Sequence, residues 1–291
     1  KDYVIINSSI LLKDLSFKRT EDGLLMSVAE KDSSILIKDW FKGDQHKIDG
    51  FVYKAEDKDQ VIILYEGNDR LFLNDKSNWI VFTLSDSNSL IEAGKGNNFI
   101  KTGKGDDLVI CDGGNDVVFG GEGDDELLAS DDKDYESIKT PVELHGERGN
   151  DYLIGAGGPD ILYGGPGRDN IYAHGGNDII HPGDDDQAVF SKGGNDNVEA
   201  GDGDDIIYLE GSGVKQITGG AGNDLFIIKP NNYDNHSVYL ILDYEINNPL
   251  EKIDFSNIPH IYSLDDLKIG DRKVEIDPSV GQRSSMTSST S

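Results

Sequence analysis

The stretch Gly164-Gly165-Pro166-Gly167-Arg168-Asp169-Asn170-Ile171-Tyr172 decides how this chain folds. Its nine-residue form, Gly-Gly-x-Gly-x-Asp-x-apolar-x, returns twelve times between Ala93 and Ile227. Equally clean copies run from Gly120 to Leu128 and from Gly219 to Ile227. A short fixed period that keeps its chemistry in register marks a solenoid of stacked units. Four copies start at Ala93, Thr102, Cys111 and Gly120; seven start at Gly146, Gly155, Gly164, Ala173, Pro182, Ser191 and Ala200. A one-residue slip around Leu209 to Thr218 precedes the last, at Gly219.

Within each nonamer the first six residues read as a turn and the last three as a strand. Glycine at positions 1, 2 and 4 allows backbone angles that a side chain forbids, and lets carbonyls converge. Position 8 is expected to point inward: Ile100, Val109, Val118, Leu127, Leu153, Leu162, Ile171, Ile180, Val189, Val198, Ile207 and Phe226. Positions 7 and 9 then point outward, by the two-residue period of a strand. Two nonamers make one coil, so each unit lies over its second neighbour.

Position 6 therefore stacks carboxylate over carboxylate. One edge of the second block carries Asp151, Asp169, Gln187 and Asp205, and the other Asp160, Asp178 and Asp196. The first block pairs Asn98 with Asp116 and Asp107 with Asp125. Like charges at this spacing repel unless a cation lies between them. Two carboxylates and several glycine carbonyls form an all-oxygen site of about six ligands, which suits Ca²⁺ better than Mg²⁺. No Cys/His cluster favours zinc. One ion between each unit and its second neighbour gives about seven Ca²⁺ ions, with weaker sites at Gln187 and Asn98.

Composition agrees with a cation-binding chain. Asp and Glu outnumber Lys and Arg 55 to 27, a formal charge of -28. That balance repels nucleic acid and invites cations. The apolar runs are too short to span a bilayer. The chain begins at Lys1 with no charged-then-apolar leader and reads as a fragment or processed product. Cys111 is the only cysteine, so metal has to replace disulfides as the staple; it is expected to pack as a small apolar residue.

Flanking segments differ in composition. Residues 1–84 read as a small β-rich domain, 85–128 as the first block and 129–145 as an acidic insertion loop. Residues 146–228 form the second block, 229–276 a β-rich cap over its apolar end, and 277–291 a Ser/Thr-rich disordered tail. The fold class is all-β, a β-solenoid of nonapeptide repeats with a β-rich unit at either end. His174 and His181 are expected to be solvent-facing spacers, and Trp40 and Trp79 core anchors.

The nonamer resembles the RTX (repeats-in-toxin) calcium-binding repeat over residues 93–227. The resemblance implies a parallel β-roll with Ca²⁺ in its turns, formed on secretion through type I secretion machinery. The implied metal ligands are Asp107, Asp116, Asp125, Asp151, Asp160, Asp169, Asp178, Asp196, Asp205 and Asp224. Carbonyls would come from Gly103, Gly105, Gly114, Gly121, Gly123, Gly149, Gly158, Gly165, Gly167, Gly176, Gly194, Gly201 and Gly203. Asp14-Leu15-Ser16-Phe17 through Ile37-Lys38-Asp39-Trp40-Phe41 is similar to a haemolysin-type calcium-binding-related domain. Asp224 to Ile227, Ile241 to Tyr244 and Lys252 to Ser256 resemble the C-terminal cap of secreted RTX hydrolases. Gln187, Asn98 and the 129–145 insertion depart from the pattern, and the Ser/Thr-rich end lacks the apolar terminus of a type I signal.

No His-Glu-x-x-His, Gly-x-Ser-x-Gly, P-loop or EF-hand loop occurs, so no catalytic residue is assigned. The reading is a non-catalytic, calcium-binding module of a secreted, extracellular toxin or exoprotein, with a host cell surface as a further candidate partner. The alternatives are a calcium-stiffened adhesin segment and the C-terminal tail of a secreted hydrolase.

Overall fold

The computed structural model describes residues 3–7, 12–20, 23–28, 33–38, 50–54, 59–65, 70–73, 78–84, 86–130, 135–229, 237–243, 250, 252–254, 268–270 and 273–276. Among them there is no α-helix, and no helix is long and apolar enough to cross a membrane. Contacts divide the chain into two units, Lys1–Asp131 and Asp132–Ser291.

In the second unit, strands from alternate nonamers pair in parallel. One face stacks Val142–Arg148, Ile161–Tyr163, Ile179–His181, Asn197–Glu199, Gly213–Thr218 and Ser237–Ile241. The other stacks Tyr152–Ile154, Asn170–His174, Ala188–Lys192, Ile206–Glu210, Leu225–Lys229 and Lys252–Asp254. Register is set by position 8: Leu153 faces Ile171, then Val189, Ile207, Phe226 and Ile253. Leu144, Leu162, Ile180, Val198, Ile217 and Ile241 do the same on the other face. The first unit repeats this arrangement with Val81, Ile100 and Val118 on one face and Leu71, Ile91, Val109 and Leu127 on the other. The fold is thus a β-solenoid of parallel coils, consistent with a β-roll.

All twelve position-8 residues are fully buried, as an aliphatic spine shared by successive coils demands. Position 9 is less uniform than alternation predicts, since Ile110, Phe119, Leu128 and Ile154 are buried too. Phe119 packs against Phe99 at 5.7 Å, and the Lys101 ammonium lies over its ring.

After the strand Tyr3–Asn7, which pairs with Gly50–Lys54, the first unit has a three-stranded antiparallel sheet, Leu15–Thr20, Gly23–Val28 and Ser33–Lys38. Leu15, Phe17, Leu24 and Met26 cluster with Ile62, Ile80 and Phe82, and the Phe17 ring meets Phe82 edge-on at 4.9 Å. This packing joins the sheet to the coils. Residues 39–41 of the expected calcium-binding-related domain, Trp40 included, lie outside the described residues, as do 131–134 and the tail 277–291.

The span expected to loop out at 129–145 contains part of a coil instead. Val142–Arg148 is a strand, with Val142 and Leu144 buried in the slots of positions 6 and 8. An aliphatic residue in the carboxylate slot hid this turn from a search for the nonamer.

Candidate metal centre

Most turns hold glycines at which no side chain fits. A Cβ on Gly167 would lie 1.6 Å from the Gly149 carbonyl oxygen one coil below, and one on Gly194 would lie 1.3 Å from that of Gly176. Both glycines also hold positive φ, +132° and +96°. The same close approach onto a carbonyl one coil below recurs at Gly114, Gly121, Gly123, Gly165, Gly176, Gly201 and Gly203. At Gly105 the added atom would instead meet the backbone of Ser87 and Asn88. Gly103 and Gly149 share the positive φ, whereas Gly158 sits under the Thr140 carbonyl without it. Backbone carbonyls are thereby held in rows along each edge.

The position-6 side chains lie beside those rows. Asp107, Asp116, Asp125, Asp151, Asp160, Asp169, Asp178, Asp196, Asp205 and Asp224 are all buried, as are Asn98 and Gln187. They form two ladders in the second unit. The Asp151 N–H donates to Asp169 Oδ1 at 2.7 Å, Asp169 to Gln187 Oε1 at 2.6 Å, Gln187 to Asp205 Oδ1 at 2.9 Å and Asp205 to Asp224 Oδ1 at 3.1 Å. On the other edge Val142 donates to Asp160, Asp160 to Asp178 and Asp178 to Asp196, at 3.0, 2.9 and 3.1 Å. In the first unit Asn98 donates to Asp116 and Asp107 to Asp125, both at 2.8 Å. The structure therefore stacks nine of the ten aspartates on one another, while Asp116 stacks on Asn98.

One oxygen of each accepting carboxylate is occupied this way; the second is the telling one. Oδ2 of Asp178 and of Asp205 is buried with no hydrogen-bond partner. Burial pushes both carboxyls up to about 8; Asp196 and Asp160 add to the rise at Asp178, and Asp224, Asp186 and Asp204 at Asp205. Asp116 rises to about 7, chiefly through burial, which hydrogen bonds from Asn98 and the Cys111 thiol partly offset. Burial likewise lifts Asp107, Asp160 and Asp224 to about 6. A buried anion without a counter-charge either takes a proton or takes a cation. Among the described residues no three His, Cys, Asp or Glu side chains gather at one point. The other ligands of an oxygen cage must then be backbone carbonyls, and the glycine rows supply them. This donor set fits Ca²⁺.

Three position-6 slots hold nitrogen donors instead. Asn98 Nδ2 donates to the Gly96 carbonyl and to Asp116 Oδ1, each at 2.9 Å. Gln187 Nε2 donates to the Gly167 carbonyl at 2.8 Å. The third is Lys215, which sequence reading missed. Glu210 to Thr218 is a thirteenth nonamer, offset by the single extra residue Leu209, with Gly211, Gly213 and Ile217 in place and lysine where aspartate belongs. Pairing of Asn197 with Gln216 and Val198 with Ile217 sets Lys215 directly beside Asp196. The signal was present in the glycine spacing; a search anchored on aspartate passes over it.

The histidines are not simple spacers. His174 stacks on Tyr135 at 4.8 Å, and burial lowers its pKa. His181 stacks on Tyr163 at 5.1 Å, with Nδ1 3.4 Å from Glu199 Oε2. On the opposite face Tyr172, Phe190 and Tyr208 form a ring stack with centroid spacings of 4.2 and 4.4 Å. Cys111 is buried.

The repeat family described as the RTX calcium-binding nonapeptide repeat matches in four copies, at residues 85–118, 112–135, 154–186 and 181–212. No curated protein matches the chain. The chain carries RTX calcium-binding repeats, and the matched residues hold most of the buried carboxylates just described, with Asp151 and Asp224 lying outside the matched ranges.

Proposed function

Starting from a chain that carries calcium-binding nonapeptide repeats, we propose that it is a non-catalytic module of a larger secreted protein, a toxin or exoprotein, that folds when it meets calcium outside the cell. The observation that carries this reading is the pair of buried, unpartnered oxygens on Asp178 and Asp205. Bound Ca²⁺ would supply positive charge beside those oxygens, a charge that Lys215 supplies only in part at Asp178. The residues that would hold it are the pairs Asp107 with Asp125, Asp151 with Asp169, Asp160 with Asp178, Asp178 with Asp196 and Asp205 with Asp224, with glycine carbonyls of the same turns.

The chain's own residues do the rest. Without a counter-charge the stacked carboxylates repel one another and favour the expanded chain, which suits export through a narrow type I channel. Once neutralised, the ladders bring the position-8 aliphatics of each unit into a spine and bury them. Each site filled at about a hundredfold excess over its Kd adds about 2.7 kcal/mol to folding.

Far-ultraviolet circular dichroism of the whole chain during calcium titration tests the proposal. A coil-like spectrum should turn to β with calcium and stay coil-like with magnesium. Equal responses to both ions would count against the oxygen cage.

A further inference from the structure

Of the ion pairs among the described residues, only Lys215 with Asp196 is wholly buried: both side chains are 0 % exposed, and Nζ lies 2.5 Å from Oδ2. The same Nζ lies 3.5 Å from the Gly194 carbonyl. These are the two kinds of atom, a position-6 carboxylate and a position-4 carbonyl of the preceding coil, that line the candidate calcium sites. Gln187 reaches the equivalent carbonyl, Gly167, from the equivalent slot. Two unrelated side chains thus put an N–H donor at the same place in the turn, and only lysine brings a charge with it.

We propose that the Lys215 ammonium is a resident cation standing in for a metal ion between the coil of Asp196 and its own, so that this turn closes without calcium. The inference rests on the calcium reading above. Closure here is completed by the chain alone. The Gly194 N–H donates to the Ser212 carbonyl at 2.8 Å, the Ser191 hydroxyl donates to Asp196 Oδ2, and the Tyr239 hydroxyl donates to the Gly211 carbonyl at 2.8 Å. The edge where the coil of Asp196 meets that of Lys215 therefore closes at calcium concentrations too low for the edges that depend on carboxylate pairs, Asp205 with Asp224 included, and it offers them a template on which to form.

Equilibrium dialysis of the full chain against calcium, comparing wild type with Lys215→Asp, tests this directly. Lys215→Asp rebuilds a carboxylate pair and is expected to bind about one more ion per chain. Lys215→Met keeps the apolar stem without the charge, and is expected to raise the calcium midpoint of folding roughly two- to threefold, because several ions share the loss. Hydrogen exchange on the wild type needs no variant: the Gln216 amide, bonded to the Asp196 carbonyl, should gain protection at lower calcium than the Asn170 amide, bonded to that of Asp151. An unchanged stoichiometry in a folded Lys215→Asp, or simultaneous protection of Gln216 and Asn170, overturns the proposal while leaving calcium-dependent folding intact. A wild type that binds no calcium overturns both.

Discussion

The backbone N–H of Asp160 donates to Oδ1 of Asp178, eighteen residues along the chain, at 2.9 Å, while Asp178 Oδ2 stays buried without a hydrogen-bond partner. One side chain thus has two tasks: it closes a turn of backbone and it offers an anion to the space between coils. Asp178→Ala removes both, leaving a buried amide unsatisfied at about 1–3 kcal/mol. Its calcium midpoint should rise several-fold, whereas Asp184→Ala, at an exposed turn position, should fall within about 0.5 kcal/mol of wild type. Calcium titrations of the two variants measure the difference; equal effects would contradict the register.

Glycine substitutions separate strain from collision. At Gly193 φ is +58° and the nearest atom to an added Cβ is 3.9 Å away, so Gly193→Ala should cost about 1–2 kcal/mol, the left-handed penalty alone. At Gly194 the added atom meets the Gly176 carbonyl at 1.3 Å, and the coils must part. Gly194→Ala should cost more than about 4 kcal/mol and abolish the calcium-induced β spectrum.

Acidity should partly replace the metal. The folded, metal-free carboxyls of Asp116, Asp178 and Asp205 sit at about 7, 8 and 8, above the ordinary value of 3.8. The folded chain therefore binds more protons than the unfolded one between those limits, and stability present near pH 4 is lost as pH rises through 7 to 8. In chelator, the β signal at pH 5 should exceed that at pH 8, and saturating calcium should flatten the profile. The reverse dependence would mean that the carboxylates are solvated.

Gln187→Asp would make one edge an unbroken row of carboxylates from Asp151 through Asp169 to Asp205. It loses the Nε2 bond to the Gly167 carbonyl and adds a buried charge. The variant should be less stable than wild type in chelator and bind calcium more tightly at saturation. Thermal melts with and without calcium should therefore cross.

Phe190 lies between Tyr172 and Tyr208 with ring centroids 4.2 and 4.4 Å away. Phe190→Ala should lower stability by about 1–3 kcal/mol without changing the number of ions bound. Melts at saturating calcium, set against dialysis, would show both results.

Coil register, the inward spine and the buried aspartate rows were legible in the sequence because every nonamer repeats the same physical demand. Val142 and Lys215 were not. Each fills the carboxylate slot with something else, so the coil survives through its glycines and its position-8 aliphatic while the ionic signature disappears. The ring stack of Tyr172, Phe190 and Tyr208 was hidden for another reason. Its members are ordinary position-9 residues one by one, and they meet only because two nonamers make a coil. His174 gives no sign of its ring contact, because its neighbour, Tyr135, comes from outside the repeat altogether.

In every rung of these ladders the amide belongs to the earlier coil and the acceptor to the later one, which gives the stack a direction. Removing the first coil strips away a donor and leaves an oxygen that water can serve. Removing the last strands an N–H: without Asp224, Asp205 loses its acceptor, and then Gln187 would follow. Asp243 acts as the doorstop, receiving the N–H groups of Gly219 and Gly220 at 2.9 and 2.7 Å. Loss at the C-terminal end therefore takes away the side-chain acceptors of the coil before it, whereas loss at the other end takes away the backbone carbonyls that later amides bind, as Asp151 does for Asn170.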